Sequence, residues 1–171
     1  MKRSILFLLL LTILLQAKGQ KKLHFELGLN YPISIEQYGG KESHIGGLLD
    51  GIYNINKNTN IDVCINYESY TSILKKENLK FINNGRSLSL IPGVNYILDL
   101  KEDALKPYFG IGIGASFDNT DTGIFNEGMK CHVVFSPKIG LQAVKHIDIF
   151  ARYNITHKNF NRFIIGVGYI F

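Results

Sequence analysis

Hydrophobic and polar residues alternate with a period of two along most of the chain after about residue 20. Within 23–31, for example, apolar Leu23, Phe25, Leu27, Leu29 and Tyr31 alternate with His24, Glu26, Gly28 and Asn30. This period is typical of β-strands whose two faces differ in chemistry, and no sustained helical stripe accompanies it. The pattern occurs in eight segments of roughly ten residues, which lie within 22–31, 44–55, 61–68, 87–98, 109–117, 131–142, 147–155 and 162–171.

The stretches between these segments alternate in length. Stretches 34–41, 74–85 and 118–129 are long and polar, 99–106 is intermediate, and 56–60 and 145–146 are short. Outer-membrane barrels have long loops outside and short turns on the periplasmic side, where both termini lie. The pattern therefore predicts an all-β fold, an eight-stranded antiparallel up-and-down transmembrane β-barrel.

The distribution of small and aromatic residues indicates which face points inward. In a membrane barrel the apolar face meets lipid and the lumen is polar, the reverse of a soluble barrel. The polar face is rich in glycine, which suits a narrow lumen shared with large side chains: Gly28, Gly46, Gly93, Gly110, Gly112, Gly114, Gly140, Gly166 and Gly168. The apolar face carries aromatic residues near strand ends, as interfacial girdles do: Tyr31, Tyr53, Tyr67, Tyr96, Phe117, Tyr153, Phe163, Tyr169 and Phe171. Both features favour an outer face in contact with outer-membrane lipid.

The beginning of the chain has the features of a secretory signal peptide. Lys2 and Arg3 precede an apolar run over 5–15, and Ala17 and Gly19 are small residues suited to cleavage. A membrane-spanning helix needs about 20 apolar residues, which is more than this run offers.

We therefore expect residues 1–19 to direct export and residues 20–171 to form the barrel domain. After cleavage, 16 basic and 14 acidic residues remain. This near balance gives little support to nucleic-acid binding, which needs a basic surface.

The last segment ends in a glycine and two aromatic residues, Gly166, Tyr169 and Phe171. The arrangement resembles the C-terminal signal that the barrel-insertion machinery recognises. The resemblance implies that this machinery is a partner of the last strand.

Two further stretches resemble a known family, SLIPGVNY at 89–96 and KPYFGIGIG at 106–114. They are similar to the "Ile-Pro … Tyr" and "Pro-Tyr-x-Gly-x-Gly-x-Gly" strands of the small outer-membrane β-barrel family, which is common in Bacteroidetes and includes the PorT-like proteins. The resemblance spans most of the chain after the signal peptide. It implies the fold and a location in the bacterial outer membrane, and it adds no catalytic residues.

Seven charged residues on the polar faces form the candidate site: Glu26, Asp50, Asp62, Glu68, Lys138, Arg152 and Arg162. Charges that share a narrow interior must pair, because an unpaired buried charge costs several kcal/mol. We expect a structural network of ion pairs that plugs the lumen. A narrow ion pathway is the alternative, since rings of charge tune selectivity.

Other motifs predict no catalytic residue, metal ligand or cofactor. Gly110, Gly112 and Gly114 are spaced by two within one strand, whereas a nucleotide-binding fingerprint needs a strand, a glycine turn and a helix. Cys64 and Cys131 are predicted to point to opposite faces and to remain unbridged. The histidines lack metal-ligand spacing: His24, His44, His132, His146 and His157.

Three functions remain open from the sequence. We expect a non-enzymatic outer-membrane protein with a structural, adhesive or assembly-accessory role, in which the extracellular loops contact an unknown protein or surface ligand. A lipid A-modifying acyl hydrolase or transferase is the first alternative, with His157 near Thr156 as its candidate residue. A soluble lipocalin-like carrier with an apolar interior is the second.

Overall fold

The computed structural model describes residues 22–34, 41–76, 79–100, 105–121, 126–144, 146–156 and 161–171. The predicted signal peptide and His157 lie outside the described residues. Among the described residues, no helix is long and apolar enough to cross a bilayer.

Eight antiparallel strands form one closed barrel in chain order, and β1 pairs with β8 to complete it. The strands are β1 (Leu23–Ser34), β2 (Lys41–Asn54), β3 (Thr59–Lys76), β4 (Leu79–Ile97), β5 (Leu105–Asp121), β6 (Asn126–Ala143), β7 (Ile147–Asn154) and β8 (Arg162–Ile170). The prediction of an eight-stranded antiparallel up-and-down barrel is confirmed. We call the end of the barrel nearest Lys22 and Phe171 proximal, and the opposite end distal.

The apolar side chains point outward and the polar ones point into the lumen. Leu27, Ile113 and Val167 are 58%, 61% and 49% exposed, whereas Glu68 and Arg152 are 0% and 3% exposed. The predicted orientation of the two faces is confirmed. The alternative of a carrier with an apolar interior is wrong, because the enclosed face holds the charges.

Glycines in the lumen make room for large side chains on the neighbouring strand. In six register pairs a large residue lies over the glycine opposite it: Asn30–Gly46, Asp62–Gly93, Tyr70–Gly85, Asn95–Gly110, Tyr108–Gly140 and Phe150–Gly166. A β-carbon at any of these glycines would overlap its partner, so the glycine-rich face is a packing requirement of the narrow interior.

The lumen also has a small apolar part that the sequence analysis did not assign. Leu48, Cys64, Ile97, Phe150 and Ile164 are buried there beside the polar groups. They occupy positions on the inward face, where they fill space between the charged side chains.

The prediction of loops at 74–85 and 118–129 is wrong over most of each stretch, because β3, β4, β5 and β6 continue into them. Only 77–78 and 122–125 of these stretches lie outside the described residues. The strands continue after the apolar alternation ends because the hydrogen bonds between neighbouring strands join backbone groups and do not depend on an apolar face.

Candidate functional site: a charged lumen and a protruding rim

A distal cluster of buried charges is centred on Arg162 of β8. The guanidinium lies 3.3 Å from the Glu68 carboxylate of β3 and 3.0 Å from Asp118 Oδ1 of β5. Ser116 Oγ donates a hydrogen bond to Asp118 Oδ2 at 2.8 Å, and Ser87 lies 2.9 Å from Ser116. The cluster thus ties four strands together across the lumen.

An amide relay joins this cluster to β1. Asn30 Nδ2 donates to Asn66 Oδ1 at 2.5 Å, and Asn66 Nδ2 donates in turn to Glu68 Oε1. Glu68 is therefore held by Arg162 at one oxygen and by Asn66 at the other. Such charge-assisted contacts are stronger than neutral ones and fix the geometry of the buried carboxylate.

A proximal cluster is centred on Lys138 of β6. Its Nζ lies 2.6 Å from Asp62 Oδ2 and 3.7 Å from Asp50 Oδ2. Beside it, Arg152 Nη1 donates to Cys64 Sγ at 3.2 Å.

Tyr108 and Asp148 extend the same layer, since the Tyr108 hydroxyl donates to Asp148 Oδ2 at 2.6 Å. Glu26 is buried in the proximal half of the lumen and lies over Gly168.

Carboxylates outnumber cations in the described lumen. Six carboxylates, Glu26, Asp50, Asp62, Glu68, Asp118 and Asp148, share the interior with Lys138, Arg152 and Arg162. Within the described part of the chain, one oxygen each of Glu26, Asp50, Glu68 and Asp148 has no hydrogen-bond partner. The described residues nevertheless contain no group of three or more His, Cys, Asp or Glu that could hold a metal ion.

Side chains fill the middle of the lumen. A cavity of about 10 Å³ remains between Asp62, Cys64, Lys138 and Arg152, which is room for one water molecule at most. Around this layer the interior therefore offers no space for a solute larger than water.

The structure places all seven charged residues of the sequence analysis in the lumen, in two clusters. Glu68 and Arg162 meet distally, whereas Asp50, Asp62 and Lys138 meet proximally. Sequence analysis missed Asp118, which it assigned to a loop, and left Asp148 out of the network. Asp118 and Asp148 lie at even-numbered positions, as the inward-facing residues of β5 and β7 do. This alternation is the signal in the sequence that could have identified them.

The remaining predicted residues lie as follows. Cys64 is buried and Cys131 is exposed, and both are free, so the prediction of opposite faces is confirmed. Gly166 lies under the Phe150 ring. Tyr169 stacks on His146 at 5.4 Å between ring centroids and meets Phe171 edge-on at 5.0 Å.

A rim of paired strands rises above the distal cluster on one side of the barrel. β3 to β6 have 17 to 19 residues each, whereas β7 has 8 and β8 has 9. β1 and β2 pair only as far as Asn30 and Gly46. We call the distal part of β2 to β6, residues 41–45, 69–76, 79–86, 118–121 and 126–134, the rim sheet.

No protein-family model and no curated protein matches the sequence. Solved structures are similar in fold. The outer membrane protein OprG of Pseudomonas aeruginosa has a TM-score of 0.61 at 11% identity, over 88% of this chain and 96% of OprG. The attachment invasion locus protein Ail of Yersinia pestis has a TM-score of 0.52 at 14% identity, over 88% of this chain and 97% of Ail.

The N-terminal β-barrel domain of Pseudomonas aeruginosa OprF has a TM-score of 0.52 at 15% identity, over 86% of this chain and 97% of that domain. This chain therefore has the fold of the small eight-stranded outer-membrane β-barrels. At these identities the similarity concerns the fold alone.

Proposed function

We propose that this chain is an integral outer-membrane protein of a Gram-negative bacterium, without enzymatic activity, that contacts a partner outside the cell through its rim sheet. The observation that carries the proposal is the distribution of side chains on the barrel, with an apolar outer wall around a charged and filled lumen. Among the described residues, strands continue past the apolar band at one end only.

The outer wall fits a bilayer. Residues 23–31 of β1, at about 3.3 Å per residue and a tilt of about 40°, span a height of roughly 20 Å, close to the apolar band of about 25 Å in outer-membrane barrels. An apolar groove of about 780 Å³ on this wall, near Leu29, Ala151 and Ile165, would be covered by hydrocarbon. A closed barrel leaves no strand edge unpaired at this depth.

The filled lumen favours an action at the surface over transport. The two charge clusters and the one-water cavity argue for a structural plug. The rim sheet, which would stand on the extracellular side, is then the part that a partner can reach.

Two further elements of the proposal come from similarity. The motifs at 89–96 and 106–114 support membership of the PorT-like group, and Gly166, Tyr169 and Phe171 would engage the barrel-insertion machinery after export. Ail, whose name describes attachment and invasion, indicates that this fold can carry an adhesive surface.

Fractionation followed by gel electrophoresis tests the location. We expect the protein in the outer membrane, with a folded form that resists SDS unheated and migrates differently after boiling. Recovery in the soluble periplasm without detergent would contradict the membrane assignment.

Trimming the rim tests the role. Ser72 and Asn83 are register partners, so replacing 73–82 by Asn-Gly shortens the hairpin without changing the register below it. We expect cells with the trimmed protein to lose aggregation or attachment to a solid surface. The matched control replaces 56–58 of the proximal turn by Asn-Gly and should keep both. Unchanged behaviour of the trimmed, heat-modifiable barrel would contradict the proposal.

A further inference from the structure

The outer face of β3, β4 and β5 changes from apolar to polar within one step of the alternation. The last apolar residues of the three strands are exposed and are register neighbours: Tyr67, Leu88 and Phe117. The next outward residues toward the distal end are Ser69, Arg86 and Asn119. On the wall of a membrane barrel such a change marks the passage from hydrocarbon to lipid headgroups.

Arg86 has a polar neighbour on each of the two strands beside it. It is the register partner of Ser69 on β3 and of Asn119 on β5. Side chains at directly opposite positions on one face of a sheet have their β-carbons about 5 Å apart. The three side chains therefore lie close enough to contact one small group of atoms together.

Arg86 is exposed, and the described residues give it no ion pair. The ion pairs between described residues belong to Lys138 and Arg162, which lie in the lumen. Asp118, the carboxylate that precedes Asn119 on β5, is buried and pairs with Arg162. Basic side chains at the membrane surface are attracted by the anionic groups of lipids. We therefore expect Arg86 to find its counter-charge in a headgroup.

The donors of these three residues fit a phosphate with three free oxygens. A guanidinium binds two oxygens of a phosphate in a bidentate manner. The Ser69 hydroxyl and the Asn119 amide supply further donors on either side of it. A phosphomonoester presents three free oxygens, whereas the phosphodiester of common phospholipids presents two. The arrangement therefore favours a phosphomonoester.

The wall beside this group suits the acyl chain of a lipid. Ala115 is the outward residue that precedes Phe117 on β5, and its register partners are Leu90 and Val133. Its side chain is a single methyl group between two larger apolar side chains, so a hydrocarbon chain can approach the sheet more closely there. One lipid can thus place its phosphate at Arg86 and a chain over Ala115.

We propose that Arg86, Ser69 and Asn119 form a binding site for a phosphomonoester lipid of the outer leaflet. The inference goes beyond the proposed surface role and rests on the membrane location in the proposed function, because only that location brings Arg86 to headgroup level. Without such a lipid Arg86 contributes little to folding, since exposed charge contacts are weak. Inorganic phosphate shares the headgroup chemistry, and the experiment separates the two.

The chain contains no tryptophan, so a single introduced tryptophan reports the lipid beside it. Phe117→Trp places this reporter next to the site, in vesicles of phosphatidylcholine that contain phosphatidic acid with brominated, quenching chains. We expect the site to select phosphatidic acid over phosphatidylcholine at least about fivefold, which corresponds to about 1 kcal/mol for one arginine near a charged surface. Arg86→Gln in the same reporter protein should reduce this selection to less than about twofold.

Three controls make the measurement specific to the site. Lys57→Gln removes an exposed charge at the proximal turn and should leave the selection unchanged. Tyr153→Trp moves the reporter to β7, where the selection should be less than about twofold. Brominated phosphatidylglycerol, an anionic phosphodiester, should be selected at least about twofold less than phosphatidic acid. Heat-modifiability checks that each variant is folded.

No selection in the Phe117→Trp protein, or equal selection after Arg86→Gln, would overturn the inference. Equal selection of phosphatidylglycerol and phosphatidic acid would show that charge alone acts, and would overturn the assignment of a phosphomonoester. An excess of inorganic phosphate should leave the quenching unchanged. Complete loss of the quenching would identify a site for free phosphate and overturn the lipid assignment.

Fractionation separates this inference from the proposed function. If the protein is in the outer membrane and phosphatidic acid is not selected, the lipid site fails and the location stands. If the protein is recovered in the soluble periplasm, both fail.

Discussion

The lumen and the rim sheet differ in where their polar groups find partners. In the distal cluster, Arg162 forms ion pairs with Glu68 and Asp118 inside the barrel. At the open edge of β6, beside 126–134, Met129 and Val133 direct backbone groups to a side where no described strand lies. The charge clusters of the lumen link strands across the barrel, whereas the distal half of β6 has no described strand on the side away from β5.

The largest expected effect is on the lumen. Arg162→Met leaves Glu68 and Asp118 buried without their cation, and should lower the free energy of unfolding by about 3–5 kcal/mol. Urea unfolding in lipid vesicles measures it. Arg86 of β4 is exposed and provides the matched control, since Arg86→Met should change this free energy by less than about 0.5 kcal/mol. Similar losses for Arg162→Met and Arg86→Met would contradict the expectation that the buried arginine stabilises the barrel more than the exposed one.

The second effect concerns the packing of glycines in the lumen. In Gly166→Ala the new β-carbon would overlap the Phe150 ring and lie 2.9 Å from the Leu29 carbonyl oxygen. We expect a loss of about 1–3 kcal/mol in the same urea experiment. At Gly47 the nearest atom would be 3.9 Å away, so Gly47→Ala should be close to neutral. A larger loss for Gly47→Ala than for Gly166→Ala would contradict the interpretation of the lumenal glycines as a packing requirement.

A third effect is a gain of stability at the proximal turn. Val144 has φ 52°, in the left-handed region that β-branched residues avoid. Val144→Gly should raise the free energy of unfolding by about 1 kcal/mol, because the strain is relieved. Ala143→Gly, one residue earlier in β6, should lower it slightly instead. A loss at Val144 would mean that its side chain contributes more to packing than the backbone strain costs.

The smallest expected effect is at the rim. Met129→Ser exchanges an exposed apolar side chain for a polar one and should change the free energy of unfolding by less than about 0.5 kcal/mol. A loss comparable to that of Gly166→Ala would show that this edge packs against the rest of the chain and is not open to a partner.

The sequence predicted the parts of the strands that lie within the apolar band. It did not predict that β3 to β6 continue beyond this band. The alternation stops near Phe117, so Asp118 was assigned to a loop although β5 continues to Asp121. The apolar pattern is imposed by the two environments of a strand, lipid and lumen. Where both faces of the rim meet water, that constraint ends while the backbone ladder persists.

The partners within the lumen could not be derived from the sequence either. Lys138 and Asp62 are 76 positions apart and meet at 2.6 Å, and nothing in their local patterns links them. The stagger of the strands around the barrel decides which inward residues share a layer.

The sequence by itself determined that the chain forms eight two-faced strands and which residues each face carries, because side chains alternate strictly along an extended backbone. The tertiary structure decided the two charge clusters and the open edge of β6. Both depend on register and on how far each strand continues beside its neighbour, which are properties of pairs of strands and not of any one segment.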